Sequence, residues 1–179
     1  MCRFEWRDLL RFFLIVLPFF VTVIAGAIRG GYGWGMWIVL AYALFFFFVW
    51  EARVLCSHCP MWAEPSRALH CHANHGVLKI WPYRPGPMGR SEKAQFIIGA
   101  LILIVLPLVF VALGGEYLLL TIGAVCAVSA TYTLRRSACN ECINFSCPMN
   151  TVEKRLVDAY LLENPEMLHA WRDDSYSLG

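Results

Sequence analysis

Residues 96–113 read Phe-Ile-Ile-Gly-Ala-Leu-Ile-Leu-Ile-Val-Leu-Pro-Leu-Val-Phe-Val-Ala-Leu, with no Asp, Glu, Lys, Arg or His. A run of this length is close to the ~20 apolar residues that cross a hydrocarbon core of ~30 Å. Three more runs of the same kind occupy residues 12–28, 32–50 and 117–134, and none contains an ionisable acid, base or histidine. Only the three-residue turns Arg29-Gly30-Gly31 and Gly114-Gly115-Glu116 separate the first run from the second and the third from the fourth. The pattern predicts an all-α integral membrane protein with four transmembrane helices, arranged as two helical hairpins. Composition agrees: 59% of residues are hydrophobic and 16% charged, against about 25% charged in soluble domains. Arg3, Arg7, Arg11 and the Ala25-Gly26-Ala27 triplet give the first run some look of a signal peptide. It is longer than the ~7–15 residues of a signal-peptide core, so a retained helix is expected.

Charge placement predicts orientation. All but one of the 15 lysines and arginines lie in the N-terminal segment, the central loop or the C-terminal tail, and the two turns hold only Arg29. By the positive-inside rule both termini and the central loop face the cytoplasm, as expected in a cell inner membrane. Trp34, Trp37, Trp50, Tyr32 and Tyr117 sit near run ends, where aromatic side chains anchor at the lipid interface.

The hairpins read as a parallel internal repeat. Leu14-Ile15-Val16-Leu17-Pro18 recurs as Leu103-Ile104-Val105-Leu106-Pro107. Each copy continues through a glycine-containing turn and a second helix to Cys-x-x-Cys, and ends in Cys-Pro-Met, at Cys59-Pro60-Met61 and Cys147-Pro148-Met149. The chain therefore divides into an N-terminal segment with the first hairpin (1–50), a Cys/His/Pro-rich loop (51–93), the second hairpin (94–134) and a Cys-rich tail (135–179). Pro60, Pro65, Pro82, Pro85 and Pro87 argue against long helix in the loop, and a loop of this length needs something to order it. In the tail, Asn150 or Thr151 can cap a helix, with Glu153 at capping-box spacing from Asn150. Val152, Leu156, Val157, Tyr160 and Leu161 form its apolar stripe, and Asn164-Pro165 ends it.

Six of the eight cysteines fall in these two polar segments. The loop carries Cys56, Cys59 and Cys71, with His58, His70, His72 and His75 nearby; the tail carries Cys139, Cys142 and Cys147. Cys-x-x-Cys aims two sulfurs at one point from a tight turn, and thiolates are soft donors suited to zinc or iron–sulfur clusters. In a reducing cytoplasm such cysteines serve metals more often than disulfides. A Cys3His zinc site would draw its histidine from the loop, with His72 and His75 the first choices behind Cys71. A four-thiolate cluster would need one more cysteine, which Cys2 could supply. Cys126, inside a helix, reads as a small packing residue. Thiol–disulfide exchange with a quinone needs an oxidising compartment, which the orientation denies.

No Gly-rich nucleotide loop, nucleophile elbow or zinc-protease helix is present, and no basic-aromatic stretch suggests nucleic acid. With no charge inside the spans, ion-coupled transport lacks its usual signature. The expectation is a membrane-embedded metal-binding subunit, iron–sulfur in its leading form. It would carry electrons between a soluble redox partner and a membrane carrier such as a quinone. The alternative is a zinc-stabilised scaffold that recruits protein partners at the cytoplasmic face.

Overall fold

A computed structural model describes residues 5–71 and 73–179; Cys2 and His72 lie outside the described residues. Helix α1 (Trp6–Arg29) and α2 (Gly35–Phe45) form the first hairpin. The second helix does not stop at Trp50. It passes through a π-helical turn, Phe46–Trp50, into α3 (Glu51–Val54) and a 3-10 turn, Cys56–His58. After the short α4 (Pro60–Ala63), α5 (Arg90–Leu113) and α6 (Tyr117–Ser137) make the second hairpin, and α7 (Lys154–Glu163) and α8 (Pro165–Asp173) close the tail. Four stretches, Trp6–Arg29, Gly35–His58, Arg90–Leu113 and Tyr117–Ser137, are helices long and apolar enough to cross a membrane. At 1.5 Å per residue, 24 residues span about 36 Å, enough for the hydrocarbon core with some tilt.

The hairpins exchange partners. α1 of the first hairpin packs mainly on α6 of the second, while α5 packs on α1, on α6 and on α2 with its continuation α3. Phe19, Val23, Val111 and Ala127 fill the centre of that contact. Without water to drive apolar faces together, helices in lipid associate through close packing, for which small residues make room. Gly99 does this for α2: a Cβ there would lie 2.4 Å from the Phe46 ring, and Tyr42 Oη donates to the Gly99 carbonyl at 2.9 Å.

The two turns are built alike. In the first, Tyr32 N–H bonds Ala27 O (2.8 Å) and Gly31 N–H bonds Ile28 O (3.1 Å); in the second, Glu116 N–H bonds Val111 O (3.3 Å) and Gly115 N–H bonds Ala112 O (3.0 Å). Both are Schellman closures, which need a left-handed residue after the helix. Gly31 (φ 80°) and Gly115 (φ 72°) supply it. The turns also meet, since a Cβ on Gly30 would stand 2.5 Å from Gly114 Cα, and Arg29 Nε reaches Glu116 Oε1 at 3.3 Å.

The opposite end carries a cap made of loop and tail. Trp6, at the start of α1, meets the His75 ring edge-on at 4.9 Å, so the N-terminal end of the bundle joins it too. The three positively charged segments thus gather at one end and the two turns at the other. The tail helix begins later than its sequence suggests: Glu153 precedes the first turn, and Asn150 instead accepts from Val152 N–H at 2.9 Å in the chain leading to it. Of its stripe, Val157 and Leu161 are buried against Met167 and Trp171, whereas Leu156 is exposed. The segment after Pro165 is a full nine-residue helix.

Candidate metal centre

The Cys-x-x-Cys of the loop forms where α3 tightens into a 3-10 turn, and Cys59 N–H bonds Cys56 O at 2.9 Å. Cys59 is extended and Pro60 starts α4. Proline is favoured at that first position because its missing N–H would have no helical partner. Cys56 (5% exposed) and Cys59 (6%) are buried in one apolar cluster with Ala52, Met61, Trp62, Leu69, Val77 and Ile143, and Cys71 packs against it.

The sequence carries two cysteine groups; the fold packs the segments that hold them against each other. Ile143, in that same cluster, follows Cys142 directly. Asn144, buried, donates from Nδ2 to the Leu55 carbonyl at 3.1 Å. Cys142 consequently lies within electrostatic reach of Cys59, Cys71 and Cys147, and Cys56 within reach of Glu51, Cys71 and Cys59. Cys147 sits in a neighbouring apolar cluster with Val54, Leu55, Met88 and Phe96, close enough to feel Cys139 and Glu51. Cys126 lies apart, against the core between α1 and α5.

The sulfurs receive N–H groups. Asn74 Nδ2 lies 3.2 Å from Cys56 Sγ, and Met149 N–H lies 3.4 Å from Cys147 Sγ. Bonds of this kind stabilise a thiolate over a thiol and tune thiolate-held metals. Burial acts the other way and prevails for the metal-free thiols. It raises Cys142 well above the ordinary value, with Cys59 adding to the effect. It pushes Cys147 up to about 12 and raises Cys139 against the pull of Arg135. The free groups are therefore neutral near pH 7.

The donor types suit a soft metal, with six thiols, buried or partly so, and N–H groups aimed at two of them. Among the described residues, however, no three His, Cys, Asp or Glu side chains form a group arranged to hold an ion.

The histidines divide. His58 is engaged at Nδ1, 2.7 Å from Gly86 O, while its buried Nε2 lies 3.3 Å from Glu92 Oε2 without forming a hydrogen bond. His75 lies between the Trp6 ring and the His70 ring, whose centroid is 5.6 Å away. His72, a candidate ligand from sequence, lies outside the described residues.

Four residues that order the cap carry no motif. Lys79 Nζ donates to Met61 O (2.8 Å), Glu64 O (2.9 Å) and Ser66 Oγ (3.1 Å). Arg84 bonds Ser57 Oγ at 3.0 Å and also reaches the Arg53 carbonyl and the Glu92 carboxylate, tying α3 to the start of α5. Asn74 holds Cys56, and Asn144 joins tail to loop. Two more bonds seat the proline-rich segment: Trp62 Nε1 to Trp81 O at 2.8 Å, and Trp171 Nε1 to Pro85 O at 3.1 Å.

Comparison of the chain with family models, with curated proteins and with solved structures gives no match.

Proposed function

We propose that this protein is a membrane-embedded metal-binding subunit whose cysteine cap holds an iron–sulfur cluster. The job is electron transfer between a soluble redox partner and a membrane carrier of the quinone class, on the cytoplasmic side. Cys56, Cys59, Cys71, Cys139, Cys142 and Cys147 are the candidate donors. When bound, the cluster supplies a one-electron couple. The protein's part is burial and N–H groups directed at sulfur, the levers that set such a potential. The observation that carries this reading is the docking of the tail on the loop, with Ile143 seated in the buried patch of Cys56 and Cys59, and with Asn74 and Met149 donating to the sulfurs of Cys56 and Cys147. The likeness between the hairpins in turn hydrogen bonding supports reading them as a duplicated unit.

A zinc-stapled scaffold is the second reading. One observation favours it: among the described residues, the segment between α4 and α5 holds almost no regular structure beyond an isolated bridge between Ala68 and Leu78. A metal there would contribute folding free energy directly.

Elemental analysis and a visible spectrum of protein purified without oxygen decide between them. Iron with sulfide and absorption near about 400 nm, lost on Cys59→Ser, is the expected result. Stoichiometric zinc without colour moves the conclusion to the scaffold, and protein free of both metals overturns both readings.

A further inference from the structure

We infer that the central loop seats on the lipid surface at the cap end of the bundle, with Leu78 and Ile80 dipping into the boundary between headgroups and acyl chains. This rests on the membrane spans and not on the metal reading. Residues 67–69 and 77–79 run antiparallel. Leu69 N–H bonds Val77 O (2.8 Å) and Lys79 N–H bonds Arg67 O (3.0 Å), which sets Ala68 opposite Leu78. Alternate side chains of an extended segment point to opposite faces. Val77 and Leu69 are buried in the cluster of Cys56 and Cys59. Lys79 turns to the same side, onto Met61 O, Glu64 O and Ser66 Oγ. Leu78 and Ile80 face outward and are 59% and 60% exposed. Against water the pattern runs the other way, with lysine outside and the aliphatic pair inside, and a slip of one residue in register would produce it. A charged side chain turned in between two large aliphatic side chains turned out is the alternation of a segment whose outer face meets lipid.

Two contacts fix the height of that face. Before it, the His75 ring meets Trp6 at 4.9 Å, and Trp6 is the first residue of a helix long and apolar enough to cross the membrane. After it, the Arg53 guanidinium lies over the Trp81 ring, 5.4 Å from the centroid. Arg53 follows Trp50 by three residues, about 4.5 Å along a helix, and Trp50 closes the second apolar run. Tryptophan and arginine at the ends of spans sit at headgroup level. Leu78 and Ile80 lie between these two anchors, so they are held at the rim of the bilayer. Trp6 also leads into Leu10, Phe13 and Leu14, all exposed on α1, and the loop therefore meets the lipid-facing surface of the bundle where that surface ends. Aliphatic side chains placed at this depth act as an interfacial anchor. They hold the proline-rich segment down over the cysteine cluster beneath it.

The test uses the wild-type, full-length protein in phosphatidylcholine–phosphatidylglycerol vesicles. One phospholipid carries a diazirine near the glycerol end of an acyl chain; hydroxyl radicals generated in the water supply the second probe. Mass spectrometry reads both residue by residue. Leu78 and Ile80 should take up the lipid probe with a yield within about threefold of that at Phe13 and Leu14, and should resist the aqueous radical. Oxidation of both from water, without lipid label, overturns the inference. Neither lipid label nor oxidation also overturns it, because protein then covers the face, and a second chain becomes the occupant. Absence of label at Phe13 and Leu14 as well overturns the membrane spans themselves. No residue is replaced, so none of these outcomes reflects a failure to fold, and none depends on whether the cap holds a metal.

Discussion

Lys79→Met isolates what orders the loop in the absence of any metal. The lysine ammonium has three donors and three acceptors, Met61 O, Glu64 O and Ser66 Oγ, at 2.8–3.1 Å. Methionine keeps the apolar stem and deletes the donors. Hydrogen bonds from a charged group contribute about 1.5–3 kcal/mol each where shielded. The Glu64 contact is exposed and is discounted to about 0.5 kcal/mol. Burial also lowers the ammonium pKa, a desolvation cost that offsets part of the gain. The net is about 2–3 kcal/mol on opening of the cap, or roughly 30–150-fold at 1.4 kcal/mol per decade. Hydrogen–deuterium exchange of detergent-solubilised full-length protein reads that opening directly in peptides covering residues 61–80. Faster exchange by that factor there, with α1 and α6 unchanged, is the expected outcome. A change below about threefold would show that the three bonds do not hold the loop, and would refute the reasoning from donor count to local order.

Other consequences follow from single contacts. Gly30→Val should lower the melting temperature through overpacking of about 1–3 kcal/mol, because its Cβ would meet Gly114 Cα at 2.5 Å. Gly31→Ala meets no neighbour and should cost only about 1 kcal/mol, for the left-handed backbone; wild-type melting of Gly30→Val would contradict the meeting of the turns. Asn144→Leu leaves the Leu55 carbonyl without its donor, so the tail should be cleaved more readily by trypsin at Lys154 and Arg155, by a factor corresponding to about 1–3 kcal/mol. Unaltered cleavage would count against the bridge. In metal-free, reduced protein the cap should weaken from pH ~9 towards 12. Below that window the Cys147 thiol is protonated in both states; within it the unfolded chain releases the proton and the folded chain, with Cys147 raised to about 12, keeps it. Stability then falls by up to about 1.4 kcal/mol per pH unit for such a group. Alkylation of Cys147 that tracks an ordinary thiol near pH 8.5 would refute the shift.

The membrane part was legible because its signal is compositional. Four uncharged runs and two three-residue turns dictate hairpins whatever the detailed packing. Even there, the end of the second helix was hidden. Apolarity stops at Trp50, but the backbone continues through a π-turn to Val54, because Glu51 and Cys56 are buried by the cap rather than exposed at the lipid edge. The cysteine motifs were legible as donors and not as an assembly. Spacing along the chain assigns Cys142 to Cys139, whereas the fold carries it towards Cys59 and Cys71 through Asn144 and Ile143, residues without a motif signature. Lys79 and Arg84 read as ordinary cytoplasmic charge in the sequence, and nothing in their neighbours reveals that carbonyl oxygens converge on them. Asn150 has the right residue type and spacing for a helix cap, yet its side chain is used to hold the Cys142 and Asn144 carbonyls at 2.7 and 3.0 Å, so the helix starts later.

Metal K-edge X-ray absorption on anaerobically purified full-length protein bears most directly on the cap as a thiolate metal centre. The account predicts a single kind of centre surrounded by sulfur at about 2.3 Å, abolished in Cys56→Ser/Cys59→Ser. A metal bound only by oxygen or nitrogen, or sulfur coordination that survives loss of both loop cysteines, would contradict it.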